Sequence, residues 1–240
     1  NKKNYFFSRL INKAWKIFLK DQPIDIENKI WKKISTNNIN LPSNLKKINF
    51  HLVQSYYARD YLLKQKIGED NIFYVSDYLN EDFLNIQTDL SKKQNIVVYN
   101  PKKGYSFTKK IIKKAKDIKF IPIINMNRQQ VIETFQKAKV YIDFGNHPGK
   151  DRMPREAAIL GCCVITGKRG SAAFYEDVSI PDDYKFDDKN ENISNIIDKI
   201  KDCFNNFEES YKDFEYYREV IKKEPQKFID DLNKIFIKEE

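Results

Sequence analysis

The chain has 240 residues, with 43 lysines and arginines against 34 aspartates and glutamates, for a net charge of +9. That length allows one large domain or two modest ones with a buried core; no apolar run approaches the roughly 18 residues that a membrane span needs, and no secretory signal pattern is visible. Three cysteines (Cys162, Cys163 and Cys203), without a CxxC pair or a histidine-rich tract, argue against a disulfide scaffold or a zinc site and fit a reducing cytoplasm.

Lysine, asparagine and isoleucine are abundant throughout, so the basic excess reads first as a solvated surface rather than a footprint for a polyanion. No DNA- or RNA-binding module is recognisable. The chain opens on Asn1 rather than methionine, which gives the expectation of a fragment whose upstream part is missing.

Residues 4–20 carry an apolar stripe of Phe7, Leu10, Ile11, Ala14, Ile17 and Phe18, which predicts a helix packed on the protein; a basic amphipathic segment on anionic lipid is the alternative. Residues 35–46 read as a loop. "INFHLVQ" (48–54) reads as a strand. Residues 55–68 read as a helix with Ser55 as N-cap and Gly68 as its stop, and "NIFYVSD" (71–77) as a second strand. That succession predicts a βαβ unit with parallel strands. Residues 85–94 are polar and without periodicity and read as an interdomain linker. The expected division is a partial N-terminal α/β domain over 1–87 and a nucleotide-binding domain with a helical tail over 88–240.

Beyond the linker, strands at 95–100, 118–124, 140–144 and 162–166 alternate with helices at 107–117, 128–138 and 154–161. A weak strand is expected near "YKF", and charged amphipathic helix from Asn192 onward. Continuous apolar strands separated by helices mean a parallel sheet covered on both faces, the doubly wound α/β pattern. In such sheets ligands bind outside the carboxyl ends of the strands, so the candidate loops are 100–106, 125–127, 145–154 and 167–173.

Those loops hold the unusual residues. In "NPKKGYS", Gly104 permits close backbone approach, and Lys102 and Lys103 can reach a phosphate. In "GNHPGKDRMPRE", Pro154 suits the first helical position, and Lys150, Arg152 and Arg155 add charge to the positive end of the helix. His147 and Gly149 belong to the same loop. Glu156, just inside the helix, is placed to accept hydrogen bonds from the vicinal hydroxyls of a ribose. In "GKRGSAAF", Gly170, Ser171 and Ala172 offer small residues and free amides to a phosphate. Asp143 and Asp151 could act as bases, but no paired-carboxylate spacing supports them. Cys162 and Cys163 read as small buried hydrophobes. No GxSxG elbow, GxGxxG turn or phosphate-binding Walker loop is present, which disfavours a nicotinamide enzyme.

The succession "VYIDFG…HPGKDRMPREAAILGCCVITG…GSAAF" resembles the donor-binding half of GT-B glycosyltransferases, closest to bacterial enzymes that build capsules and other surface glycans. The resemblance covers about residues 47–186. It implies a Rossmann-like donor domain in which Glu156 holds the ribose of a nucleotide sugar. It also places Lys103 and Gly104 where such enzymes put a phosphate-binding lysine. It departs from the retaining pattern at Pro148, where many relatives carry a second glutamate, and near Asn100, where an arginine is usual.

What the resemblance implies is transfer of a sugar from a nucleotide-diphosphate donor to a glycan or lipid-linked glycan acceptor. No metal and no further cofactor are expected, and no nucleic acid partner. The setting would be cytoplasmic, with peripheral contact to the inner membrane. The competing readings are a non-catalytic nucleotide-sugar-binding fragment and a basic protein that binds nucleic acid or a membrane surface.

Overall fold

The computed structural model describes residues 51–236 together with Ile48 and Phe50. The stripe over 4–20 and the loop over 35–46 lie outside the described residues. Contacts divide the chain between Phe50 and His51, and everything from His51 onward gathers into one unit.

That unit begins with the βαβ motif. Strands β1 (His51–Val53) and β2 (Ile72–Tyr74) pair in parallel around helix α1 (Tyr56–Lys64). Ser55 caps α1 as expected, its hydroxyl accepting from the Ala58 amide at 3.1 Å. The carboxylate of Asp177, far along the chain, accepts from the Tyr56 and Tyr57 amides at 2.8 and 3.0 Å.

The C-terminal stop of α1 differs from expectation. The helix ends before Gly68, and the left-handed residue is Lys66, at φ 61°. Ile67 N–H donates to Leu62 O and Lys66 N–H to Leu63 O, while Leu62 and Ile67 are both buried. This is a Schellman closure with its hydrophobic contact, built on a lysine.

After a short helix α2 (Glu81–Leu84), five strands form one sheet in the order β4–β3–β5–β6–β7, every neighbouring pair parallel. They are β3 (Gln94–Tyr99), β4 (Lys119–Pro122), β5 (Ala138–Asp143), β6 (Cys163–Gly167) and β7 (Lys185–Phe186). The central strands sit between layers, so they read as unbroken apolar runs. Val97, Val98, Val140, Ile142, Val164 and Ile165 are fully buried, worth on the order of 10 kcal/mol of gross transfer energy together. Cys162, Cys163 and Cys203 are free and buried.

The connecting helices are α3 (Tyr105–Lys114), α4 (Arg128–Lys137) and α5 (Arg152–Ile159), followed by α6 (Ile193–Asn205), α7 (Phe207–Lys212) and α8 (Glu215–Phe236). The chain runs outward from β3 to β4, then crosses back to β5 on the far side of β3. Right-handed crossovers therefore put α3 on one face and α4 and α5 on the other. Helix α6 packs beside α3 and covers β3 and β5 from that side. The reversal makes the carboxyl ends of β3 and β5 the switch point of the sheet, the place where such sheets form a ligand crevice between loops.

The polar segment 85–94 contains a buried lysine that composition did not flag. Lys93 donates to Phe135 O, Ala138 O and Leu160 O at 2.7–2.9 Å. One ammonium thereby serves the carbonyl ends of both α4 and α5, where cations are favoured.

Candidate functional site

Three loops meet at the switch point. Gly104 takes a left-handed conformation at φ 59°, and a Cβ there would stand 2.3 Å from the Phe144 carbonyl. On the facing side a Cβ on Gly145 would meet the Lys103 side chain at 2.6 Å. The loops after β3 and β5 can close on one another only because both positions are glycine. The third loop is zipped to the second. Gly170, also at φ 59°, bridges to His147; the Ser171 amide donates to His147 O at 2.8 Å, and Ser171 Oγ donates to Gly149 O at 2.6 Å.

Two helices start at this crevice, and neither receives a side-chain cap. Helix α3 begins at Gly104 and α5 at Asp151, with no capping hydrogen bond at either. By contrast, Ser55 caps α1 and Asn127 forms a full capping box on α4. Uncapped first-turn amides and the positive helix end favour an anion. Pro154 is the third helical residue rather than the first, because α5 starts two residues earlier than expected. Having no N–H, it leaves Arg152 and Met153 as the first-turn donors.

The expected basic residues separate into two groups. Lys103 is part-exposed and pairs with Asp151, and Arg152 is half-exposed at the start of α5. These two border the crevice. Lys150 and Arg155 do not, which corrects the expectation that they present charge to a ligand. Lys150 Nζ lies 2.5 Å from Glu224 Oε1 of α8, close as an ion pair but off-line as a hydrogen bond. Arg155 is 0% exposed. It donates to Glu224 Oε2 at 2.7 Å, Asp77 Oδ2 at 3.1 Å, and the Lys150 and Asp77 carbonyls at 3.1 and 3.2 Å. Burial alone would push its guanidinium down, but the carboxylates of Glu224 and Asp77 outweigh that and keep it charged.

One further expectation changes. The amides of Ser171, Ala172 and Ala173 are all bonded to carbonyls within the chain, and Ser171 and Ala172 are buried, so this turn braces the crevice rather than offering free donors. Glu156 is only 6% exposed. Burial raises its carboxyl above the usual range, opposed by Arg152, Arg155 and Arg128. It lies 4.0 Å from the half-exposed Arg152, one turn earlier on α5.

A cluster that sequence spacing did not single out lies beneath the crevice. His147 is fully buried between Asp143 and Asp151, with Nε2 3.3 Å from Asp143 Oδ1 and Nδ1 3.5 Å from Asp151 Oδ2. The N–H directions miss both carboxylates, and neither ring nitrogen makes a hydrogen bond. Asp143 also accepts from the Tyr141 hydroxyl and the Gly145 amide, each at 2.9 Å. Burial would push its carboxyl up, but the imidazole and these donors outweigh burial and hold it below the usual range. The same carboxylate and desolvation push the Tyr141 phenol well up. The signal in the sequence was a spacing of four from Asp143 to His147 and again to Asp151, unremarkable until the strand end folds the three together.

No protein-family model matches the sequence, and no similar sequence occurs among curated proteins. Solved structures do match in fold. A mutant of S. aureus TarM, in complex with fondaparinux, α-GlcNAc-glycerol and UDP, superposes with a TM-score of 0.56 at 17% identity, covering 80% of this chain and 45% of that one. Anabaena HepE in complex with UDP and glucose superposes at 0.61 and 10% identity, over 82% and 68%. A glycosyltransferase from Rickettsia africae superposes at 0.58 and 15% identity, over 93% and 76%. The chain thus spans less than half the length of TarM. Among the described residues, no helix is long and apolar enough to cross a membrane. The fold is the one carried by these GT-B-type glycosyltransferases.

Proposed function

We propose that this chain binds a nucleoside diphosphate sugar across the β3/β5 switch point and serves in transferring the sugar to a glycan or lipid-linked glycan of a surface polysaccharide. The observation that carries this reading is the pair of uncapped helix N-termini, α3 and α5, converging on one crevice beside Lys103 and Arg152. It is supported by the fold match to structures that hold UDP. In transfer the nucleoside diphosphate is the leaving group, and preorganised positive charge stabilises the charge developing on its phosphates. Lys103 turns from Asp151 toward the phosphate, Arg152 lies on the opposite rim, and Glu156 accepts from the ribose hydroxyls.

A thermal-shift panel of nucleoside diphosphate sugars identifies the donor, and calorimetric titration tests the roles. Arg152→Ala removes a charge-assisted bond of about 1.5–3 kcal/mol and weakens nucleoside diphosphate binding by roughly tenfold or more. Glu156→Gln weakens ribose-containing ligands and spares inorganic pyrophosphate. Parent-like nucleotide binding by Arg152→Ala sinks the assignment. Pro148, standing where retaining relatives carry a second glutamate, favours a second reading, in which the chain binds the donor without transferring it. Nucleotide binding without release of sugar to any glycan acceptor would select that reading.

A further inference from the structure

We propose that the outer face of α3 is the surface by which this chain lies on an anionic lipid bilayer. The basic excess is not spread evenly over the fold. Residues 51–236 hold 31 lysines and arginines against 29 aspartates and glutamates. Residues 102–119, which span α3 and its flanking turns, hold eight of those lysines and one aspartate, so the rest of 51–236 stands at 23 against 28. One helix is strongly positive on a body that is otherwise negative.

The structure turns that charge outward. Lys109, Lys110, Lys113 and Lys114 of α3, with Lys116 and Lys119 just beyond it, are exposed, and among the described residues none of the six pairs with a carboxylate. Lys110 and Lys114 donate to the neutral Asn190 and Ser194 at 2.9 and 2.5 Å, and the single acid, Asp117, is held by Lys201 at 2.8 Å. At about 100° per residue, the four lysines of α3 fall within about 140° of its circumference, and the buried Phe107, Thr108 and Ile111 lie outside that arc. Tyr105, 42% exposed, extends the row of Lys109 and Lys113 by one turn. Every cation of the patch is a lysine. Arginine's planar fork selects one phosphate geometry, whereas lysine is a mobile point charge that answers to the average potential of a surface. Anionic headgroups present such a potential, each lysine near them strengthens partitioning about fivefold, and tyrosine suits a boundary with one apolar and one wet side. This face stands apart from the crevice and does not depend on a bound donor.

Vesicle flotation of the whole chain is the test, with phosphatidylcholine alone and with an equimolar mixture of phosphatidylcholine and phosphatidylglycerol, at low and high salt. Binding to the mixed vesicles that high salt releases is expected, with none to phosphatidylcholine. Lys109→Gln/Lys113→Gln/Lys116→Gln weakens it about a hundredfold, while Lys222→Gln/Lys223→Gln/Lys234→Gln, the same charge removed from α8, changes it by less than about threefold. All six positions are exposed, and circular dichroism checks folding. Failure of the parent to bind mixed vesicles overturns the proposal. Equal loss in the two variants overturns it in favour of net charge alone. Binding retained by the α3 variant overturns it in favour of residues 1–50, which hold 11 basic residues against three acidic. Release from the vesicles by single-stranded RNA at equal phosphate concentration makes the face a nucleic-acid surface and overturns it too.

Discussion

At the scale of single residues, two lysines sit where their chemistry is ill suited. Lys66 closes α1 at φ 61°, a conformation that costs an L-residue with a side chain about 1–2 kcal/mol and costs glycine nothing. Glycine's greater unfolded-state entropy takes back part of that gain, so Lys66→Gly is expected to stabilise the protein by about 0.5–1 kcal/mol. A melting temperature at or below that of the parent would refute this. Lys185, on β7, is buried, and burial pushes its ammonium down from 10.5 to about 8, with Asp182 offering partial relief. Between those values the unfolded chain holds the extra proton, so stability rises with pH through about 8 to 10.5 and the charge is a penalty below it. Lys185→Met is expected to melt higher than the parent at pH 7, with the gap closing by pH 10. A constant gap across that range would place the effect in packing instead.

At the scale of elements, the decisive contact is α8 against α5. Arg155 and Lys150 both reach Glu224, and Asp231 of the same helix accepts from the Ser76 amide at 2.9 Å. Removing one member of such a buried network strands the others, typically costing 3–5 kcal/mol, about the figure expected here. Glu224→Gln should therefore lower the urea midpoint substantially with little change in slope; a shift equivalent to under about 1 kcal/mol would show the network to be dispensable. The same contact explains why the sequence misled about these basic residues. Arg155 lies 69 residues from Glu224, on a helix whose pattern reads as charged surface, and no local signal links them. Arg152, three positions before Arg155, occupies a different side of α5 and stays at the crevice, since neighbours three apart on a helix differ by about 60° of turn.

At the scale of the whole molecule, the strands were legible because full burial writes them as unbroken apolar runs, and all four expected in the main sheet are present and parallel. The weak strand near "YKF" is present too, as β7. The order β4–β3–β5–β6–β7 follows from connection rules rather than from any residue. The site was legible as a set of loops, because ligand position follows sheet topology. Its internal wiring was not: amides in 171–173 expected free proved bonded, and the Asp143–His147–Asp151 cluster appeared only when three loops closed on glycine contacts. The α8 clasp has a consequence for synthesis. A ribosome makes the sheet and the crevice loops before α8. Until Glu224 has left the exit tunnel, Lys150 lacks its carboxylate partner and Arg155 has only that of Asp77. The loop around Lys150 and the start of α5 therefore stay hydrated until α8 is made, and the crevice sets only once that helix docks.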